Sequence, residues 1–169
     1  ALSPRSREKR RGLERPDEDE RKLERRRGRR DEKEARGDTD ELARLVVADT
    51  DIVIDFFTDT PPRARAAAEL LMEGRLAVAA VTVFELYAGV RGAKRLKQLE
   101  ALFAHVPVLP LDVLAAAYAG RIYTDLRSEG LTVGNQDILI AGTCLANGLP
   151  LFTGNTSHFA SIKGLTLFP

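Results

Sequence analysis

The distribution of apolar residues divides the chain near residue 45. Residues 1–44 are dominated by charged side chains, whereas residues 45–169 alternate short apolar runs with stretches in which apolar residues recur every three or four positions. Short apolar runs are typical of buried strands, and the longer periodicity is typical of helices. We therefore expect a charged arm over residues 1–44 and one folded domain over residues 45–169.

The apolar runs predict a sheet of short strands that is covered on both faces, because the runs contain almost no polar positions. Helical periodicity fills the intervals between them, with Thr82 and Asp112 as N-cap candidates and Gly148 as a helix end. Strands that alternate with helices predict an α/β sandwich with a parallel sheet. The predicted strands span residues 45–48, 76–81, 106–109, 150–153 and, as a short fifth strand, 165–168.

Acidic residues interrupt the apolar sequence where strands end, which is where parallel α/β folds bind ligands. Asp49 follows the first predicted strand, Glu85 follows the second, and Asp137 opens an apolar helix. Carboxylates gathered in one crevice would raise one another's pKa values, and a bound divalent cation would relieve that repulsion. Oxygen ligands without His or Cys favour Mg²⁺ or Mn²⁺, ions that serve phosphoryl chemistry.

Four segments, in order along residues 45–168, resemble the motifs of PIN-domain ribonucleases, and most closely those of the VapC toxins of toxin–antitoxin pairs. The resemblance lies in VADTDIVID (residues 47–55), VTVFELYAG (81–89), NQDILIA (135–141) and LFTGN (151–155), the last followed by His158-Phe159 and Gly164-Leu165.

The resemblance implies a PIN-like three-layer sandwich, with a short, mainly parallel central sheet flanked by helices. It implies a Mg²⁺- or Mn²⁺-dependent endoribonuclease that hydrolyses RNA phosphodiesters as the toxin of a toxin–antitoxin pair. Carried over by position, the catalytic and metal-binding acids would be Asp49, Glu85 and Asp137. The family's fourth ligand position, Asp or Asn, falls here on Asn155.

Auxiliary roles are expected for residues near these acids. Thr50 would offer its hydroxyl or amide beside Asp49. Asp51 would either N-cap the following helix, which we favour, or add an outer carboxylate to the metal site. The cations that follow the Glu85 helix are either RNA contacts or a solvated helix face; they are Arg91, Lys94, Arg95 and Lys97.

Partners and location follow from the resemblance and from composition. The expected partners are RNA, a cognate antitoxin and a second copy of the chain, since apolar residues such as Phe56, Phe57, Leu70 and Leu71 exceed what one small core needs. No run approaches 18 apolar residues, so we expect no membrane span and a cytoplasmic location. The single cysteine, Cys144, excludes an internal disulfide and a Cys-based zinc site.

Two other functions fit parts of the sequence. The Asp49-x-Asp51 motif also opens haloacid-dehalogenase phosphatases, in which Asp49 would be a covalent nucleophile and Asp51 a general acid. That alternative lacks a lysine between Gln98 and Gly134 and leaves Glu85 without a role. A catalytically inactive PIN-like module that binds RNA or protein is the second alternative.

The arm carries 16 basic and 13 acidic side chains over residues 1–44. Such a segment has little to bury, so we expect it to be disordered or loosely helical. It is either extraneous to the folded unit, an arginine-rich tether for nucleic acid, or a segment whose arginines enter the acidic pocket and restrain it. Deletion of residues 1–40 would separate these interpretations.

Overall fold

The computed structural model describes residues 42–169, which lie in a compact unit spanning Glu41–Pro169. The expectations for the arm over residues 1–41 therefore fall outside the described residues. Four strands and seven helices follow in chain order: β1 (Val46–Ala48), α1 (Thr50–Thr58), α2 (Arg63–Met72), β2 (Leu76–Ala79), α3 (Ala80–Gly89), α4 (Ala93–Phe103), β3 (Val108–Leu109), α5 (Val113–Ser128), α6 (Asn135–Asn147), β4 (Leu151–Phe152) and α7 (Thr156–Phe159).

The four strands form one sheet in the order β3-β2-β1-β4, and every neighbouring pair is parallel. The register pairs Ala48 with Val78 on one side and with Phe152 on the other. All carboxyl ends therefore meet at one edge of the sheet. The parallel α/β sheet predicted from the sequence is confirmed.

Successive residues of β1 face opposite sides of the sheet, as strand geometry requires. Val47 packs in a cluster with residues of α5 and α6, including Leu126 and Ile140. Val46 and Ala48 pack in a second cluster with residues of α1, α2 and α4, including Ile52, Leu70 and Leu99. Helices thus cover both faces, and the three-layer sandwich is confirmed.

Two local predictions from the sequence are wrong. The helix predicted to start at Thr82 begins at Ala80, directly after β2, and Thr82 lies fully buried inside its first turn. The fifth strand predicted over residues 165–168 is a single parallel bridge between Leu151 and Leu167. Because β4 itself has only two residues, it offers too little edge for a further ladder.

Helices α5 and α6 make a close crossing at Gly142. A Cβ atom at this position would lie 2.7 Å from the Ala115 carbonyl oxygen and 2.8 Å from the Ala119 Cβ. The absence of a side chain therefore sets how near α6 can approach α5. The start of α5 is fixed by Asp112, whose Oδ1 accepts a hydrogen bond from the Ala115 N–H at 2.8 Å, and this predicted N-cap is confirmed.

The apolar residues that were expected to form an interface with a second copy of the chain pack mostly against the core of the domain. Leu70 is buried, and Phe56, Phe57 and Leu71 pack against the same cluster. The exposed large apolar side chains in the described residues lie elsewhere, and include Phe84, Val113 and Leu114. No helix within residues 42–169 is long and apolar enough to cross a membrane.

Candidate active site

Asp49 occupies the carboxyl end of β1 and is the N-cap of α1. Its Oδ1 accepts a hydrogen bond from the Thr50 N–H at 2.7 Å, and its Oδ2 accepts one from the Thr153 hydroxyl at 2.8 Å. The residue is only 7% exposed. Burial raises the pKa of Asp49 to about 6; the two hydrogen bonds oppose this rise, and the charges of Asp51 and Asp137 add to it.

Asp51 does not cap α1, contrary to the favoured prediction, because Asp49 already holds that position. Its Oδ2 instead accepts a hydrogen bond from the Gly154 N–H at 2.8 Å, which ties α1 to the segment after β4. Its Oδ1 is buried and has no hydrogen-bond partner among the described residues. Asp51 therefore faces the site with one carboxylate oxygen engaged.

Glu85 lies half-buried on α3, where its Oε2 accepts a hydrogen bond from the Thr50 hydroxyl. Thr50 thus contacts two of the predicted acids, through its N–H to Asp49 and through its hydroxyl to Glu85. A groove of about 300 Å³ opens beside this contact. Apolar side chains including Ile54, Phe57 and Leu99 line the groove together with Thr50, Glu85, Arg91 and Arg95.

Asp137, in the first turn of α6, meets the fourth predicted ligand through a histidine. The His158 Nδ1 lies 3.0 Å from Asp137 Oδ2 and 2.6 Å from the Asn155 side-chain nitrogen. A ring nitrogen either donates or accepts, so His158 can bond fully to only one of these two groups at a time. The sequence assigned no role to His158, and the structure brings it beside Asp137 and Asn155.

Hydrogen-bonding contacts connect all four predicted ligands along the carboxyl edge of the sheet, with His158 bonding to either Asn155 or Asp137 at any one time. From Asp49 the contacts run in one direction through Thr50 to Glu85. In the other direction they run through the Thr153 hydroxyl, which accepts from the Asn155 N–H at 3.0 Å, and then through His158 to Asp137.

The donors match a hard divalent cation, but their present arrangement does not enclose one. Among residues 42–169, no three His, Cys, Asp or Glu side chains are grouped closely enough to hold a metal ion. Glu85 and Asp137 are instead bonded to Thr50 and His158. The chemistry fits a cation because carboxylate and amide oxygens dominate and because burial disfavours the charged form of Asp49.

The cations proposed as RNA contacts fall into two groups. Arg91 and Arg95 line the groove beside Glu85, and the Arg95 guanidinium lies over the Phe57 ring at 5.2 Å and donates to the Phe57 carbonyl oxygen. Lys94 and Lys97 are exposed on α4 and do not line the groove. The structure therefore associates only the two arginines with the predicted acids.

Comparison with known proteins decides the family. The sequence profile of the family described as "PIN domain" matches residues 46–165. The chain belongs to the PIN-domain family. This PIN domain is 31% identical over 121 residues to the tRNA(fMet)-specific endonuclease VapC of Shigella flexneri, covering 69% of the chain and 91% of that protein. It is 27% identical over 128 residues to ribonuclease VapC2 of Rickettsia felis, covering 73% and 96%.

Solved structures agree with this assignment. The PIN domain matches the DNA-bound VapBC of Salmonella typhimurium with a TM-score of 0.65 and 26% identity, over 73% of this chain and 96% of that one. It matches VapBC-5 of Mycobacterium tuberculosis, described as a member of a family of toxin-antitoxin systems, with a TM-score of 0.54 and 27% identity, over 73% and 94%. The protein is a PIN ribonuclease of the VapC type, and the phosphatase alternative is wrong.

Two residues at the site, Thr153 and His158, were assigned no role from the sequence. Thr153 ends the apolar run of β4, so its polar side chain at a strand end is a usable signal. His158 gives no such signal, because its place at the site depends on its contact with Asp137, 21 positions away. VapC-type PIN nucleases generally depend on a divalent metal, which agrees with the oxygen-rich donor set.

Proposed function

We propose that this PIN domain hydrolyses RNA phosphodiesters with Mg²⁺ or Mn²⁺ held by Asp49, Glu85, Asp137 and Asn155. The observation that carries the proposal is the placement of these residues at one edge of the sheet, where Thr50, Thr153 and His158 lie within hydrogen-bond distance of them. No local sequence pattern relates Glu85 to Asp137, so only the folded chain can bring these two side chains to the same site. The set also favours an active nuclease over an inactive PIN-like module, because all three acids are present.

The bound cation would supply Lewis-acid stabilisation of the charge that develops on the phosphate. Asp49 is the fixed member of the set, because both of its oxygens are held by Thr50 and Thr153. Glu85 and Asp137 each have an oxygen free of protein hydrogen bonds within the described residues. Either carboxylate can accept a proton from the water whose oxygen attacks phosphorus. The new phosphorus–oxygen bond forms as the bond from phosphorus to the leaving 3′ oxygen breaks.

Arg91 and Arg95 are the proposed contacts to the RNA backbone. Arg91 and Arg95 line the same groove as Glu85. An RNA strand bound in this groove would therefore place its phosphates between the arginines and the acids. The positive charge partly offsets the repulsion between phosphates and carboxylates. Lys94 and Lys97 lie outside the groove and would contribute at longer range.

The protein's partners follow from its relatives. Because VapBC complexes are among its structural neighbours, we propose that the chain is a toxin neutralised by a cognate antitoxin in the cytoplasm. We also propose a homodimer formed through the exposed apolar residues near an open cavity of about 440 Å³ between α3 and α6. Phe84 and Leu111 line that cavity, and Phe84 is 64% exposed; Val113, two positions after Leu111, is 88% exposed.

The proposal is tested by cleavage of a panel of structured RNAs, including initiator tRNA, with EDTA, Mg²⁺ or Mn²⁺. Wild-type protein should cleave only with metal, and Asp49→Asn and Asp137→Asn should each lose at least 100-fold of that rate. Asp125→Asn is the matched control, since Asp125 is an exposed acid on α5 that makes no side-chain hydrogen bond to the predicted ligands. Wild-type protein that neither cleaves nor binds Mn²⁺ would instead identify an inactive module.

A further inference from the structure

Arg63, at the start of α2, pairs with a carboxylate of α1 and lies within the electrostatic range of a second. Asp51 and Asp55 are four positions apart, so they project from the same side of the helix. The Arg63 Nε donates to Asp55 Oδ2 at 2.5 Å, and the Asp55 side chain is only 13% exposed. The pKa of Arg63 is raised, chiefly by the hydrogen bond to Asp55 and further by the charges of Asp55 and Asp51.

The same guanidinium lies against the backbone of Gly154, in the segment that follows β4. A Cβ atom on Gly154 would be 2.6 Å from Arg63 Nη1 and 2.7 Å from Asp51 Oδ2. Asp51 also accepts the hydrogen bond from the Gly154 N–H. Gly154 thus lies between the Arg63 guanidinium and the Asp51 carboxylate, and a side chain at this position would have to displace them.

Gly154 connects two residues of the site. On one side is Thr153, whose hydroxyl donates to Asp49. On the other side is Asn155, whose N–H donates to the Thr153 hydroxyl. A displacement of Gly154 would therefore move the Asn155 side chain and disturb the hydrogen bond that orients Asp49.

We propose that Arg63 is a positioning residue of the nuclease site. Together with Asp51, it holds Gly154 so that Thr153 and Asn155 keep their places beside Asp49. Asp55 in turn orients the guanidinium. The inference rests on the proposed function, since it assumes that Asn155 and Asp49 take part in metal binding. It assigns Asp51 a role in holding the backbone rather than in capping α1.

The alternative is that Arg63 merely joins α1 to α2 through Asp55. The two roles differ in what they affect. A simple inter-helix ion pair changes the stability of the whole domain when it is removed. A positioning role changes the Gly154 segment more than the rest of the domain, and it changes metal binding.

The test uses the full chain with Asp55→Asn and Arg63→Gln combined, so that the Asp55 carboxylate is not left buried without its arginine. Arg65→Gln is the matched control, because Arg65 lies on the same helix and, among residues 42–169, forms an ion pair only with exposed Glu69. The amide exchange rates of Gly154 and Asn155 are measured by NMR in metal-free protein. The Val47 amide, which donates to Pro150 within the sheet, reports global opening.

We expect exchange at Gly154 and Asn155 to accelerate at least tenfold beyond any change at Val47, with no such change in Arg65→Gln. Calorimetry with Mn²⁺ should show binding weakened by about 10–100-fold, the range found when partners of metal ligands are removed. Equal changes at Gly154 and Val47, or unchanged Mn²⁺ affinity, would overturn the positioning role. If wild-type protein binds no Mn²⁺, the proposed function fails, and the exchange rates alone decide whether Arg63 holds the segment.

Discussion

The Thr153 hydroxyl donates a 2.8 Å hydrogen bond to Asp49 Oδ2, although 104 positions separate the two residues. The contact exists because β1 and β4 are neighbours and Ala48 is paired with Phe152, so the next residue of each strand emerges at the same edge. Both side chains are buried. The hydrogen bond stabilises the charged form of Asp49 against the cost of burial.

Thr153→Val should raise the pKa of Asp49 further above 6, because it removes a hydrogen bond to the carboxylate while preserving side-chain volume. The expected shift is about one unit, since a hydrogen bond to a charged group contributes about 1.5 kcal/mol. The carboxyl ¹³C chemical shift of Asp49, followed against pH in metal-free protein, measures it. Thr153→Ser keeps the hydroxyl and should titrate like wild type; an unshifted Thr153→Val would contradict the assigned contact.

Asp49→Asn should stabilise the metal-free protein at neutral pH while abolishing cleavage. The pKa of about 6 in the folded state exceeds the ordinary aspartate pKa of 3.8, so the folded state binds the proton more tightly than the unfolded state. Wild-type stability therefore falls as pH rises from about 4 to about 6, and the full deficit is present above pH 6. Its size is about 1–3 kcal/mol.

Urea unfolding of both proteins between pH 4 and pH 8 measures this deficit. A constant difference between variant and wild type would reflect an unrelated effect of the substitution. Only an advantage of Asp49→Asn that grows with pH through this window supports the buried carboxylate as its cause.

Gly142→Ala should destabilise the domain by about 1–3 kcal/mol, the cost typical of overpacking. The new methyl group would meet the Ala115 carbonyl oxygen and Ala119, so α5 and α6 must separate. Gly120→Ala is the matched control within α5, because a Cβ there meets nothing within 4 Å. The control should gain about 0.5–1 kcal/mol from helix propensity, and thermal unfolding should show the two variants shifting in opposite directions.

Asp112→Ala should cost about 1 kcal/mol through loss of the N-cap of α5. Asp112→Ser and Asp112→Asn retain a side-chain acceptor for the Ala115 N–H and should lose less. Urea denaturation midpoints at pH 7 compare the three variants. Equal losses in all three would mean that the negative charge, rather than the capping hydrogen bond, stabilises this helix start.

Features set by neighbouring residues could be predicted from the sequence. Apolar runs located all four strands, and the alternation of strands with helices predicted the parallel sheet. Asp112 at the start of α5 and Gly148, left-handed at the end of α6, were recognisable because capping depends on one residue and the turn beside it. The acids at strand ends were recognisable because a parallel sheet brings its carboxyl ends to one edge.

Only the tertiary structure decided which polar groups pair. Asp49 is the N-cap of α1. Asp51, the residue expected to cap this helix, instead accepts a hydrogen bond from the Gly154 N–H, 103 positions away. The contacts of His158 with Asp137 and of Arg63 with Gly154 likewise join segments that no local pattern relates. The sequence alone thus determined the strands, helices and acidic positions, because burial and backbone preferences act locally. The hydrogen-bond partners could be identified only in the folded chain, because alternative partners have similar energies and one partner of each pair comes from a distant segment.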